Sequence, residues 1–124
     1  MFLIKDTTMM SVEEIANRLC ELCTVGQFDT AMKELYSENA ISIEADGTPP
    51  VEGLQNLFAK SQKMAEAFEE IHENRIGKPI VAGKYFAVTM WMDVTIKGMG
   101  RITQEEICLY KVEDGKVVSE QFFY

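Results

Sequence analysis

Apolar residues in the first part of the chain recur at the spacing of a helix face. In "SVEEIANRLCELCTVG", Val12, Ile15, Ala16, Leu19, Leu22 and Cys23 fall three and four residues apart. Ser11 and Glu14 are spaced as a capping box ahead of that run, and Gly26 supplies its stop. A shorter helix follows, with Asp29 near its start and Phe28, Ala31, Met32 and Leu35 on one side. The stretch "AISIEA" (40–45) reads as a strand, and "DGTPP" ends it. A third helix, from about Leu54 to Ala67, puts Leu54, Leu57, Phe58, Ser61, Met64, Ala65 and Phe68 along one stripe.

Beyond that helix the apolar period becomes two. "IHENRIGKPIVAG" (71–83) is a strand with an interruption at Gly77 and Pro79, which a bend or bulge accommodates. "KYFAVTMWMDVTIKG" (84–98) is a long strand carrying Phe86, Val88, Met90, Met92, Val94 and Ile96 on one face. Tyr85, Ala87, Thr89, Trp91, Asp93 and Thr95 occupy the other. The chain closes on a hairpin, "EEICLYKVEDGKVVSEQFFY" (105–124), whose strands carry carboxylates among their apolar residues. Helix, helix, strand, helix and then four strands with short turns give an α+β layout, the helices covering one face of an antiparallel sheet.

Two closures suit the turn "VEDGK". An Asp-Gly two-residue turn pairs Glu113 with Lys116. A three-residue loop with Gly115 left-handed pairs Val112 with Lys116, and opposes Glu106 to Phe122, Cys108 to Glu120 and Tyr110 to Val118. The difference of one residue turns every side chain of one strand over relative to the other.

Composition narrows the function classes. A chain of 124 residues fits one domain with a real core, and 47% apolar with 26% charged residues is ordinary for a globular protein. The formal net charge of −8, with 12 Lys and Arg scattered among 20 acids, argues against nucleic acid or an anionic membrane as partner. No apolar run reaches the ~20 residues of a membrane span. The opening "MFLIK" is too short for a secretion signal and lacks a preceding basic segment, so a cytoplasmic location is expected. Three cysteines are an odd number and suit a reducing compartment. Cys20 and Cys23 spell C-x-x-C, but within a helical pattern they read as core residues, and with a single histidine no metal site is expected.

The order of elements resembles the nuclear transport factor 2-like superfamily, which includes SnoaL-like polyketide cyclases, ketosteroid isomerases and scytalone dehydratase. The resemblance covers residues 1–124 as one SnoaL-like domain, and "LYSENAISIEADGTPPVEGLQNLFAKS" (35–61) is its most specific stretch. It implies a cone-shaped fold, three N-terminal helices packed on a strongly bent antiparallel sheet. It also favours the three-residue loop, which gathers Glu106, Tyr110, Glu120, Phe122 and Tyr124 on one face. By the same likeness the isomerases' general base falls on Glu44, while their two oxyanion donors fall on Leu19 and Cys108. Leucine donates nothing and a thiol donates poorly, so a true ketosteroid isomerase is not expected.

The likeness further implies a cavity between helices and sheet, lined by Met90, Met92, Cys108, Tyr110, Phe122, Tyr124 and Leu19. Glu44, Glu106, Glu120 and His72 are its candidate acid–base residues. A carboxylate in an apolar cavity has its pKa raised toward the range useful for proton transfer. The expected ligand is a small apolar or carbonyl-containing molecule, and no cofactor is implied. Two functions remain open: an isomerase, cyclase or dehydratase working by proton transfer, or a non-catalytic binding or dimerisation module. The outer sheet face, with Trp91 and Tyr85, is apolar enough to imply a symmetric homodimer.

Overall fold

Ser11 opens helix α1 (Val12–Thr24) with a complete capping box. Its Oγ accepts from the Glu14 N–H at 3.1 Å, and the Glu14 carboxylate accepts from the Ser11 N–H at 2.8 Å. Helix α2 (Phe28–Leu35) packs against α1, fastened by the Arg18 guanidinium on the Glu34 carboxylate at 2.7 and 3.1 Å. These elements come from a computed structural model that describes residues 9–124; the opening "MFLIK" lies outside the described residues.

Strand β1 (Tyr36–Ile43) continues from α2 without a linker, and the two-residue β2 (Val51–Glu52) pairs beside it. After α3 (Leu54–Ala67) the chain runs as β3 (Phe68–Ile76), β4 (Ile80–Ala82), β5 (Tyr85–Ile96), β6 (Gly100–Glu113) and β7 (Lys116–Phe123). The sheet order is β2-β1-β7-β6-β5-β3, with β4 also on β5. This is the α+β arrangement that the pattern predicts, with the curled sheet that the resemblance implies, but the sheet is not purely antiparallel as expected. The sheet is mixed, because β1 lies parallel to β7 while the other pairs are antiparallel. The crossover through α3 and the β3–β6 meander brings the last strand back beside the first.

Ile15, Leu19 and Leu35 from the helices meet Phe86, Val88 and Val117 from the sheet in the buried core. Full burial of each such side chain is worth about 1.5–3 kcal/mol. Gly77 makes the break between β3 and β4: its N–H donates to the Thr89 carbonyl at 2.8 Å, and a Cβ there would lie 2.2 Å from Thr89 Oγ1. The glycine and Pro79 thus mark a bend, as expected.

The hairpin corrects one expectation. Glu113 pairs with Lys116 around Asp114 (φ 51) and Gly115 (φ 74), so the turn has two residues, both left-handed, in place of the three-residue loop. The ladder then slips: Val112 faces Val117, but Lys111 faces Ser119, leaving Val118 as an extra, bulged residue. That residue restores the parity which the shorter turn alone would have reversed. Tyr110 now faces Glu120 and Cys108 faces Phe122. The expected inner face is kept, with partners two residues further along β7.

Candidate functional site

A cavity of about 1000 Å³ lies between the three helices and the inner face of the sheet. Its size is at the upper end for small-molecule sites. Helix α3 explains part of it. Only Leu57 of this helix is buried, because Ser61, Met64 and Ala65 of its apolar stripe line the cavity instead of closing a core. Met90 and Met92 of β5 and Phe122 of β7 supply the opposite apolar wall. Leu19, Tyr110 and Tyr124 line it as well, the Tyr110 ring stacked on Phe86 with centroids 4.7 Å apart.

The three candidate glutamates all line this cavity, in different settings. Glu120 is 8% exposed and has both oxygens occupied: Tyr36 OH donates to Oε1, and Ser42 Oγ donates to Oε2 at 2.6 Å. Burial raises its pKa, while the bonds from Ser42 and Tyr36 and the charge of Lys60 work in the opposite direction. Tyr36 in turn has its phenol pKa pushed well up, by burial first and then by the Glu120 charge. Glu44 stands just past the end of β1, ion-paired to Lys60 and accepting from Tyr124 OH at 3.0 Å.

Glu106 is the least satisfied of the three. Its nearest polar partner is the Cys108 thiol, 3.5 Å from Oε1, and among the described residues no cation lies within ion-pair distance. Burial is the main cause of its raised pKa, with the charges of Glu44 and Glu120 adding and the Cys108 contact and Lys60 opposing. Facing Met90 across the ladder, it presents a carboxylate to an apolar wall.

Two expected site residues stand elsewhere. His72 does not line the cavity: irregular pairing on both sides of it, between Phe68 and Glu70 and between Ile71 and Glu73, shifts the facing of β3. Ile71 and Glu70 reach the cavity, whereas the His72 ring bonds Thr95 Oγ1 at 2.7 Å on the outer side. Cys108 is fully buried behind the wall, where packing excludes it from the ligand space and raises its thiol pKa. Cys23 does line the cavity, its thiol raised to about 12 by burial, and Cys20 is half-buried on α1; all three cysteines are free. Among the described residues no group of three or more His, Cys, Asp or Glu side chains is placed to hold a metal ion.

Sequence reasoning missed Tyr36, Ser42 and Lys60, which together form one polar chain with the glutamates. Lys60 Nζ donates to Ser42 Oγ at 2.7 Å while Ser42 donates to Glu120, so the chain runs from Tyr36 through Glu120, Ser42 and Lys60 to Glu44 and Tyr124. The signals were present. Tyr36, Ala40 and Ser42 share the buried parity of β1, and Lys60 stands three residues after Leu57 and four before Met64, inside the apolar stripe.

The sequence profile of the SnoaL-like domain matches residues 10–124. The chain belongs to the SnoaL-like domain family. A crystal structure from Mesorhizobium loti, provisionally described as a SnoaL-like polyketide cyclase, is 35% identical, with a TM-score of 0.88 over 93% of this chain and 100% of that one. A protein of unknown function with a cystatin-like fold from Xanthomonas campestris is 19% identical, with a TM-score of 0.78 over 92% of this SnoaL-like chain and 90% of its own. A hypothetical protein with a ketosteroid isomerase-like fold from Catenulispora acidiphila, solved with trimethylamine, shares the fold at 15% identity and a TM-score of 0.73, covering 90% of this chain and 85% of its own. Among curated proteins none matches this chain significantly.

Proposed function

We propose that the protein binds a small, largely apolar carbonyl compound in the cavity and moves a proton at the carbon next to the carbonyl, as an isomerase, cyclase or dehydratase does. Glu106 carries this reading. It is the candidate carboxylate with neither a cation nor a hydroxyl holding it, it faces an apolar wall, and its pKa is raised. A base in that condition is more basic than a solvated carboxylate and has its oxygens available. Glu120, with both oxygens engaged, orients the wall, and Glu44 is bound into the Lys60 pair at the mouth.

A specific observation favours a second reading, a binding module without catalysis. Leu19 and Cys108 stand where the resemblance would require oxyanion donors, and neither supplies a strong one. Exchange of carbonyl α-protons for deuterium separates the two without knowledge of the natural substrate. In a panel of cyclic ketones and 1,3-dicarbonyl compounds, the protein should accelerate exchange for those that raise its melting temperature. Glu106→Gln should lower that rate by about 10²–10⁴-fold, the usual contribution of a positioned base, while binding is retained. Ligands that bind without any exchange above buffer would establish the module instead.

A further inference from the structure

The polar chain that runs from Tyr36 to Tyr124 contains one cation, Lys60. Among the described residues lining the cavity, Lys60 is the single cation, and every other charged lining residue is a carboxylate. It comes from α3, a 14-residue helix, which holds it more rigidly than a loop would. Its ammonium is located by Ser42 Oγ at 2.7 Å and by the Glu44 carboxylate, and it lies 5.3 Å from the centroid of the Phe122 ring. Glu44 is itself held on its other oxygen by Tyr124. An ammonium has three protons, and these contacts commit two of them. Phe122 faces Cys108 across the ladder, which places Glu106 one diagonal step away on the same wall.

We propose that Lys60 receives the carbonyl oxygen of the ligand and stabilises the oxyanion formed when Glu106 withdraws the neighbouring proton, so that the ligand class is one whose oxygen becomes anionic within the cavity. This rests on the proton-transfer reading of the same site. In the step, the Glu106 carboxylate forms an O–H bond to the α-proton, and the C–H pair becomes the enolate C=C bond. The carbonyl π pair moves onto oxygen, opposite the ammonium. Glu106 then returns the proton to carbon or to a departing hydroxyl. A donor fixed before the reaction costs no reorganisation when the charge appears, and removal of one such donor elsewhere costs about 10²–10³-fold in rate. Lys60 thereby fills the role that Leu19 and Cys108 leave empty.

The test uses 2-naphthol, whose ionised form absorbs at longer wavelength, and 2-methoxynaphthalene, which has the same ring system and cannot ionise. Bound to the intact protein, the naphthol should show the naphtholate band, with its ionisation displaced downward by about one pH unit or more. Lys60→Met should abolish that displacement and weaken naphtholate binding about ten-fold, leaving the methoxy compound within about two-fold. Glu44→Gln, which frees the ammonium from its counter-ion, should displace the ionisation further down. The first measurement needs no variant. If the protein takes the methoxy compound but binds the naphthol only as the neutral phenol, the assignment of Lys60 is wrong and the cavity reading stands. If it binds neither, both fail.

Discussion

Glu106 and Glu120 belong to one wall and are the same residue type, yet their surroundings divide the work. Glu120 is nearly buried, and hydroxyl donors satisfy it from β1. Glu106 sits among apolar groups with only a thiol for company, and Glu44, Glu120, Lys60 and Cys108 act on its charge. The consequence for stability has a definite sign. With the folded pKa above the unfolded value, the protonated carboxyl is favoured by folding. Its contribution is complete below the unfolded value of about 4.3 and is lost as pH rises through the folded value. Glu106→Gln removes that loss, so relative to wild type the variant should gain stability between about pH 4 and about pH 7.5. Urea denaturation of both proteins at the two pH values measures it. A difference that stays constant, or narrows toward neutral pH, would mean that Glu106 ionises as freely as in water.

At the level of elements, two small backbone devices shape the sheet. One is the two-residue turn with the Val118 bulge, which together keep Glu120 and Phe122 facing inward. The other is the bend at Gly77, where the edge strand breaks and β4 resumes along β5. Gly77 is tolerated there for lack of a side chain, since Thr89 Oγ1 occupies the space a Cβ would take. Gly77→Ala should therefore cost about 1–3 kcal/mol through overpacking. Adding Thr89→Ala should recover most of it, because the remaining Thr89 atoms near that Cβ are at ordinary contact, 3.5 Å or more. Chemical denaturation of the two single variants and the double variant forms a complete cycle. Equal destabilisation of Gly77→Ala in both backgrounds would place the cost in the backbone and not in the Thr89 contact.

For the whole molecule, the outer face of the sheet is the conspicuous surface. Tyr85 is 43% exposed and Ile107 50%, and Trp91 lies beyond Ile107 on the same face, in partial cover from the Arg75 guanidinium, 4.3 Å from its ring. We propose that this face pairs with its copy in a symmetric dimer, leaving the cavity on the far side of the sheet free for ligand. Trp91→Glu would put a charge from each copy into a desolvated interface and should dissociate the dimer. Light scattering of the unmodified protein at micromolar concentration checks the premise, and a monomer there would refute it. Among the described residues no helix is long and apolar enough to cross a membrane.

What the sequence by itself determined is local. The capping box at Ser11 and Glu14, the apolar stripe of α3 and the alternation of β5 specify elements through spacing alone, and those elements stand where the spacing puts them. The bend at Gly77 follows from the same local rules, whereas the inner face containing Glu106, Tyr110 and Glu120, expected through a three-residue loop, is kept by the Val118 bulge instead. Tertiary structure decided what depends on one-residue parity and on partners distant in the chain. The Val118 bulge, the parallel pairing of β1 with β7 and the outward turn of His72 each depend on a ladder's register, which strand periodicity leaves open by one residue. The setting of each carboxylate was equally out of reach. Tyr36 and Ser42 lie 84 and 78 residues from Glu120, and only the return of the last strand to the first makes one carboxylate a satisfied anchor and leaves another exposed to a ligand.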